Sequence, residues 1–397
     1  MGYDTNRKLH TYPIIAAFMI FLFVVLIASN LVAPAEFNEK EQRELAQKPS
    51  LYASASWDEY TKNFDSYVSD QFPGRNEVVE SISDLEKASD KEIINDVYVL
   101  SSDYLFAFTY PTLDYQREYM TQAIVNQRDA TGIPFVYLIT PLKNLMLAEG
   151  EASLDATTDR ANLDALTKAL KENNIPFVNC DDYFLTYQLQ QRTKFYFKTD
   201  FHWNEFGAYT ASEYFARNLA RMKYIRQSSI PEDEDFTWTN LTGKDYLGDL
   251  QRRFSMEVTV KEYIPVYTPN DADDFVYFTT YNGTTVERSE IVGKGINDEV
   301  LDYNKMSTYN LGYMRVENPN APEIKRVLLI KDSYACTCID YLSEIFTELN
   351  VVDPRYTKDT INDLLKARDI DLVLLMYHES NVSIELVDYL QLPKGKK

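Results

Sequence analysis

Two short stretches of the sequence carry side chains that together could activate a serine. In TDFHW, Asp200 and His202 stand two positions apart, so in an extended chain their side chains project to the same side. In LLIKDSY, an apolar run typical of a buried strand leads directly to Ser333. A serine attacks an acyl carbon when a histidine takes its proton and a carboxylate orients that histidine. The three residues therefore have the types that acyl transfer requires.

Each of these residues also has a plain structural interpretation. A serine before a helix is a common N-cap, and a histidine at a helix start can simply be bonded to a backbone carbonyl. His378 follows an apolar strand and is the rival base, although the adjacent Glu379 would point away from it. His10 is excluded, because it precedes a long apolar run that would place it across a membrane. We therefore rank His202 before His378.

Strand and helix patterns alternate around the candidate residues. Continuous apolar runs typical of buried strands occupy residues 133–140, 326–330 and 371–377, with amphipathic helical patterns between them. This alternation predicts an α/β fold with a parallel sheet covered by helices on both faces. One helix is expected to follow Asn204 as its cap and another to follow Ser333. The positions expected to face the core are Ala208, Ala211, Phe215, Leu219 and Met222 in the first helix, and Ile339, Leu342, Phe346 and Leu349 in the second.

The ends of the predicted strands define a candidate rim. In a parallel sheet, ligands collect outside the carboxyl ends of the strands. Lys143, Ser333, Arg355 and His378 all follow such ends. We therefore predict a substrate-binding surface at this rim that also includes the aromatic neighbours of the candidate residues. Its members are Arg355, Tyr356, Trp203, Tyr334 and Lys143.

The N-terminal region indicates export. Residues 13–33 form an apolar run long enough to span a hydrocarbon core of ~30 Å. Arg7 and Lys8 precede the run and four glutamates follow it, so the positive-inside rule places the N-terminus in the cytoplasm and the rest outside. We expect an uncleaved single-pass anchor, and a signal peptide cut near residues 33–35 is the alternative.

Composition narrows the classes of partner. The formal net charge of −21 argues against nucleic acid or anionic lipid as the main partner. Three cysteines, Cys180, Cys336 and Cys338, give no disulfide framework, and they are too few for a structural zinc site without further ligands. We predict three buried thiols, no metal and no cofactor. The predicted segments are a cytoplasmic stub with the anchor (1–35), a helical segment (36–95) and the α/β domain (96–397), with an irregular insertion at about 225–320.

The ordered motifs resemble a known group of bacterial proteins. Between about residues 65 and 377 the chain resembles the DHHW group of extracytoplasmic proteins, which are related to the alginate O-acetyltransferases of the AlgX and AlgJ type and have an SGNH-hydrolase-like domain. The resemblance implies that Ser333 is the nucleophile, His202 the base and Asp200 its orienting carboxylate, with Asp332 shaping the turn. The motifs that carry it are SDQFPGRN, YVLSSDYLFAF, TPLK, TDFHWNEFGAY, LLIKDSY and VVDPRY.

The same resemblance implies a function for the rim. Arg355 and Tyr356 match the family's DxRY position and would line the acceptor site, although a surface salt bridge and a packed ring are the alternatives. The implied activity is O-acetylation of a cell-surface or secreted polysaccharide, with the acetyl donor delivered through a membrane-bound O-acyltransferase. Two other functions stay open: a carbohydrate esterase that uses the same residues, and a non-catalytic polysaccharide-binding or assembly protein.

Overall fold

The structure is a computed structural model that describes residues 33–38, 43–50, 57–89, 91–253, 257–281 and 283–391, together with isolated positions between 13 and 20. The chain divides into two units, one of residues 1–95 and 252–256 and the other of residues 96–251 and 257–397. Most of the predicted membrane anchor at residues 13–33 lies outside the described residues. Within the described part of the chain, no helix is both long and apolar enough to cross a membrane.

Residues 57–89 of the first unit form two helices of equal length. Helix α1 (Trp57–Asp70) and helix α2 (Arg75–Ala88) are separated by a short break at Pro73 and Gly74, as the sequence predicts. Gly74 has a φ of +75°, a left-handed conformation that glycine adopts without a steric penalty. The strands described in this unit are β1 (Phe37–Asn38), β2 (Arg43–Glu44) and β3 (Ile93–Ile94).

The second unit is built on one mixed eight-stranded sheet. In spatial order its strands are β12 (Thr285–Val286), β11 (Val276–Phe278), β14 (Met314–Glu317), β16 (Phe346–Val352), β15 (Glu323–Lys331), β17 (Leu372–His378), β6 (Phe135–Thr140) and β7 (Phe177–Asn179). The strands described outside this sheet in the second unit are β4 (Val97–Val99), β5 (Leu105–Ala107), β8 (Phe236–Asn240), β9 (Asp245–Tyr246), β10 (Pro265–Pro269) and β13 (Val300–Leu301).

Only part of the sheet is parallel, which corrects the sequence prediction of a parallel sheet. Strands β16, β15, β17, β6 and β7 run parallel, whereas β14, β11 and β12 extend one edge in antiparallel order. Parallel neighbours need a long crossover, usually a helix. The short connection between β14 and β15 has no room for one, so the chain reverses direction there.

Burial on both faces explains why the central strands were predicted well from the sequence. Strand β6 is buried at every residue, and β17 is buried at every residue except His378. Strands with both faces covered read as continuous apolar runs. The helices along this part of the chain are α3 (Asp114–Thr131), α4 (Lys143–Leu147), α5 (Thr157–Glu172), α6 (Cys180–Phe184), α7 (Leu189–Arg192), α8 (Glu205–Arg221), α9 (Asp249–Arg252), α10 (Tyr303–Met306), α11 (Ile339–Ile345), α12 (Ile361–Ala367) and α13 (Ile384–Leu390).

The two helices beside the candidate residues differ in how well they were predicted. Helix α8 begins after Asn204, and the expected core positions on it are fully buried, but Met222 lies past its end and is 37 % exposed. The helix expected after Ser333 is shorter than predicted, because the chain turns into strand β16 at Phe346. Phe346 and Leu349 are buried, but they are buried in the sheet.

The buried carboxyl group of Asp181 in helix α6 makes the stability of the protein depend on pH. The residue is fully buried, and neither side-chain oxygen has a hydrogen-bond partner among the described residues. Burial raises the pKa of Asp181 to about 8, whereas an unfolded aspartate ionises at about 3.9. Between these two values the folded state binds the proton more tightly than the unfolded state, so this group makes the protein less stable as pH rises.

We therefore expect Asp181→Asn to be more heat-stable than the wild type at high pH only. The predicted gain in Tm is about 3 °C or more at pH of about 8 and close to zero at pH of about 4, measured by circular dichroism. Asp182→Asn is the matched control, because Asp182 is the exposed neighbour and should respond little at either pH. Equal gains for Asp181→Asn at both pH values would contradict this account.

Candidate active site

Asp200, His202 and Ser333 lie in one hydrogen-bonded row. His202 Nε2 lies 2.8 Å from Ser333 Oγ, and His202 Nδ1 lies 2.7 Å from Asp200 Oδ1. Asp200 and His202 are buried at 1 % and 5 % exposure, whereas Ser333 is partly exposed. The row has the order carboxylate, imidazole, hydroxyl that lets a serine lose its proton to a histidine. It can therefore supply an activated nucleophile that faces solvent.

Ser333 is positioned by the turn that leaves strand β15. Asp332 caps a six-residue 3-10 helix, Ser333–Cys338, by accepting the backbone N–H of Tyr334 at 3.0 Å. Its other oxygen accepts the backbone N–H of His378 and the side-chain amide of Asn381, each at 3.1 Å. Asp332 thus ties the turn that carries Ser333 to the end of β17, as expected for a residue that shapes this turn.

The loop before helix α8 positions Asp200 and His202. Tyr196 and Trp203 form a β-bridge that closes the loop, and the side chain of Asn204 caps α8 by accepting the N–H groups of Phe206 and Gly207. The motif is therefore a capped helix start and a candidate catalytic loop at once. The two interpretations of the sequence are compatible, because the cap is made by Asn204 and leaves Asp200 and His202 free to pair.

The carboxylate of Asp200 is held by partners on both oxygens. Oδ1 faces His202, and Oδ2 accepts the hydroxyl of Tyr246 at 3.1 Å and the N–H of Asp249 at 3.0 Å. Burial opposes ionisation, but the attraction of His202 and these hydrogen bonds hold the pKa of Asp200 well below its usual range. An ionised Asp200 keeps the Nδ1 proton of His202 in place and leaves Nε2 to accept from Ser333.

Gly248 allows the segment that carries Asp249 to approach Asp200 closely. A Cβ at Gly248 would lie 2.2 Å from the carbonyl carbon and oxygen of Thr199 and 2.5 Å from the nitrogen of Asp200. No side chain fits at such distances, so glycine is required for Asp249 to reach the carboxylate of Asp200.

We expect Gly248→Ala to displace Asp249 and to lower kcat/KM for ester cleavage by about 100-fold, since a shift of ~1 Å in a catalytic group can have that effect. Hydrolysis of p-nitrophenyl acetate would measure it. Gly243→Ala is the matched control, because a Cβ at Gly243 meets nothing within 4 Å and should leave the rate unchanged. A Gly248→Ala protein with wild-type rates would show that this approach does not matter.

Two of the predicted substrate-binding residues lie on an accessible surface after strand β16. The side chain of Arg355 is 35 % exposed, and its guanidinium pairs with Asp353 through Nε at 2.9 Å and Nη2 at 2.7 Å. Burial opposes the charge of Arg355, but Asp353 raises its pKa above the usual value. Tyr356 is 58 % exposed. The salt-bridge alternative for Arg355 is thus present in the structure, and contact of either residue with substrate stays a prediction.

The other three predicted substrate-binding residues lie in the interior. Trp203 is fully buried and donates its indole N–H to the carbonyl of Tyr334 and the hydroxyl of Thr337, each at 2.9 Å. Tyr334 is fully buried and donates its hydroxyl to the carbonyl of Phe201 at 2.6 Å. Direct contact with substrate is therefore not supported for Trp203, Tyr334 or Lys143, because a strand-end position does not determine which way a side chain points.

Lys143 instead contacts the backbone of the loop that carries Asp200 and His202. The residue is 1 % exposed, and its ammonium group donates to the carbonyls of Phe197 and Lys198, both at 3.1 Å, and to the carbonyl of Asp200. Burial lowers the pKa of Lys143 to about 7, against the opposing attraction of Glu262. The residue therefore fixes the backbone of the loop that carries Asp200.

His378 makes no hydrogen bond to Ser333 within the described part of the chain. Its Nδ1 accepts the N–H of Ser380 at 3.3 Å, its Nε2 lies 3.9 Å from Asp332, and burial lowers its pKa. Sequence reasoning ranked it second as the base, and the hydrogen bond to Ser333 comes from His202 instead.

Two tyrosines of the site were missed by sequence reasoning. Tyr246 contacts Asp200, and Tyr303 stacks on the ring of His202. Both lie in the insertion at about residues 225–320, where no hydrophobic period predicts the elements. The high tyrosine content of the chain was visible, but it singled out neither residue.

Comparison with known proteins finds a family model that matches part of the chain. Residues 113–279 match the family model of an SGNH hydrolase-like domain, acetyltransferase AlgX. The matched segment contains Asp200 and His202 but ends before Ser333. The comparison with curated proteins gives no match.

Solved structures resemble the chain over most of its length. The structure of Bacillus cereus PatB1 is 23 % identical and covers 74 % of this chain and 99 % of that chain, with a TM-score of 0.66. PatB1 with a sulfonyl adduct is 22 % identical and covers 73 % and 96 %, with a TM-score of 0.63. A DHHW family protein from Eubacterium siraeum is 17 % identical and covers 76 % and 97 %, with a TM-score of 0.57.

These findings indicate the fold of the chain. Residues 113–279 match the model of an SGNH hydrolase-like domain, acetyltransferase AlgX, and the similarity to solved structures gives the fold. The resemblance predicted from the ordered sequence motifs is confirmed.

Proposed function

We propose that this protein is an O-acetyltransferase that moves an acetyl group to a hydroxyl of a polysaccharide through Ser333. The observation that supports this most is the hydrogen-bonded row Asp200–His202–Ser333. Its setting is a chain whose residues 113–279 match an acetyltransferase family model. The row provides a nucleophile, a base and an orienting group, which are the components of acyl transfer by a serine.

In the first half-reaction, Ser333 takes the acetyl group. His202 Nε2 accepts the proton of Ser333 Oγ while the oxygen attacks the carbonyl carbon of the donor. The tetrahedral intermediate then collapses, the leaving group takes the proton from His202, and an acetyl ester on Ser333 remains. The backbone N–H of Ser333 is the donor that we assign to the developing oxyanion.

In the second half-reaction, the acetyl group passes to the acceptor. A sugar hydroxyl gives its proton to His202 Nε2 and attacks the ester carbonyl. Collapse of the intermediate breaks the bond to Ser333 Oγ, which regains its proton from His202, and the O-acetylated sugar leaves. Arg355 and Tyr356 are assigned to the acceptor surface because they are accessible after strand β16.

We also propose an extracytoplasmic location with a single-pass anchor. The support is the apolar run at residues 13–33, with basic residues before it and acidic residues after it. An acetyl donor would then have to reach the domain from the membrane, and a membrane-bound O-acyltransferase is the partner that fits this need.

Transfer and hydrolysis are separated by following both products. The full chain in detergent would be incubated with p-nitrophenyl acetate and a neutral oligosaccharide, and acetylated sugar and free acetate would be measured together. Acetylated sugar that disappears in Ser333→Ala supports the transferase. Free acetate alone would favour the esterase, because water would then be the acceptor. If neither product forms, the result would favour a binding or assembly protein.

A further inference from the structure

Tyr303 touches both the base and the turn of the nucleophile. Its ring lies face to face on the imidazole of His202, with centroids 3.9 Å apart and an interplanar angle of 4°. Its hydroxyl lies 3.0 Å from the carbonyl oxygen of Ser333 and 3.1 Å from that of Tyr334. Tyr303 is buried at 4 % exposure, so both contacts are shielded from water.

The insertion is folded so that it delivers this residue. Strands β9 and β13 pair in parallel, with Leu301 opposite Tyr246. Helix α10 then starts at Tyr303, capped by the side chain of Asp302, which accepts the N–H of Lys305 at 3.0 Å. The pairing thus places Tyr246 against the carboxylate of Asp200 and Tyr303 against the ring of His202.

Tyr303 is the parallel partner of the imidazole. The ring of Phe201 lies at the same centroid distance of 3.9 Å but is tilted by 32°, and the ring of Tyr334 lies 5.0 Å away at 49°. The titratable groups around His202 are Asp200 on Nδ1, Tyr246 behind Asp200, Tyr303, Tyr334, His378, and Lys143 on the carbonyl of Asp200. Burial raises the pKa of Tyr303 well above its usual value, so its hydroxyl stays protonated and able to donate.

We propose that Tyr303 is a positioning residue of the acyl transfer, whose ring stabilises the imidazolium that His202 becomes when it takes the proton of Ser333. This inference rests on the proposed function. The face of an aromatic ring attracts a cation, and His202 gains positive charge when it takes the proton of Ser333. The attraction therefore favours the transition state over the resting state. The hydroxyl of Tyr303 has a separate role: it holds the turn that carries Ser333 at a fixed distance from His202.

Two variants separate the ring from the hydroxyl. Tyr303→Phe keeps the ring and loses the hydroxyl, whereas Tyr303→Leu loses both. For the full chain, kcat/KM for p-nitrophenyl acetate would be measured from pH about 5 to about 9. We expect Tyr303→Phe to stay within about threefold of the wild type with the same acid midpoint of the profile. For Tyr303→Leu we expect kcat/KM to fall by about 10-fold or more. We also expect the acid midpoint to move to lower pH, because the aromatic face that favours the protonated imidazole of His202 is lost.

The control is another buried tyrosine. Tyr389 is 3 % exposed in helix α13, and Tyr389→Leu should cost stability without moving the pH midpoint. A Tyr303→Leu profile with the wild-type midpoint would overturn the proposal even if the rate fell, since packing alone would explain the loss. Equal damage in Tyr303→Phe and Tyr303→Leu would also overturn it, because the hydroxyl would then be the important group.

A second series avoids any problem with folding. Phenylalanines with increasing numbers of ring fluorines, incorporated at position 303, keep a similar ring size but progressively remove negative charge from its face. The proposal expects kcat/KM to fall step by step with fluorination, and a flat series would refute it. If the wild type forms no acetyl-serine at all, the proposed function fails instead. If the wild type forms acetyl-serine and substitutions at residue 303 leave the rate unchanged, only this inference fails.

Discussion

Ser333→Ala is expected to lower acetyl transfer by about 10⁴-fold or more, because loss of a serine nucleophile removes the covalent route and leaves only binding and oxyanion contacts. The alanine keeps the turn intact, since Asp332 makes the cap with its own side chain. The rate would be measured as acetylated oligosaccharide formed per enzyme, with the fold checked by circular dichroism.

Ser343→Ala is the matched control for this experiment. Ser343 is 1 % exposed in helix α11, and its hydroxyl has no hydrogen-bond partner among the described residues. Its loss should leave transfer unchanged. A Ser333→Ala protein that keeps a tenth or more of the wild-type rate would mean that Ser333 is not the nucleophile.

Asp200→Asn is expected to lower transfer by about 10⁴-fold, since the amide selects the wrong tautomer of the histidine. The side-chain carbonyl of an asparagine can still accept from Tyr246 and Asp249, which now bind Oδ2. Its NH₂ group then faces His202 Nδ1, which must accept. The ring proton therefore moves to Nε2 and blocks acceptance from Ser333.

Asp181→Asn is the matched control for this change, because Asp181 is also a fully buried carboxyl group and makes no contact with the row. It should keep full activity at pH of about 7. If Asp200→Asn retained most of the wild-type kcat with a normal pH profile, the orienting role assigned to Asp200 would be wrong.

The central sheet and the candidate row could be predicted because their signals are local. Strands β6 and β17 are buried over almost their whole length and β15 is buried over its second half, so the sequence shows a continuous apolar run in each of these segments. The chain contains three histidines, which left few candidates for a base. The spacing of Asp200 and His202 made them a candidate pair, the apolar run before Ser333 made it a candidate nucleophile, and the resemblance of the ordered motifs joined the three residues.

The features that were mispredicted depend on long-range contacts. Phe346 and Leu349 continue the helical period of α11, but strand pairing of β16 between β14 and β15 determines their conformation. The roles of Tyr246 and Tyr303 follow from the pairing of β9 with β13, which joins residues far apart in sequence. The burial of Lys143 depends on hydrogen bonds to three backbone carbonyls of a loop that is distant in sequence, and the sequence did not predict their positions.

The measurement that tests the central claim most directly is mass spectrometry of the acyl-enzyme. The full chain would be mixed briefly with p-nitrophenyl acetate, quenched in acid, and analysed as the intact protein and as peptides. The account predicts one acetyl group on Ser333 in the wild type and in His378→Ala, and none at this position in Ser333→Ala or His202→Ala. An acetyl group carried by a different residue, or an equal adduct in His202→Ala, would contradict it.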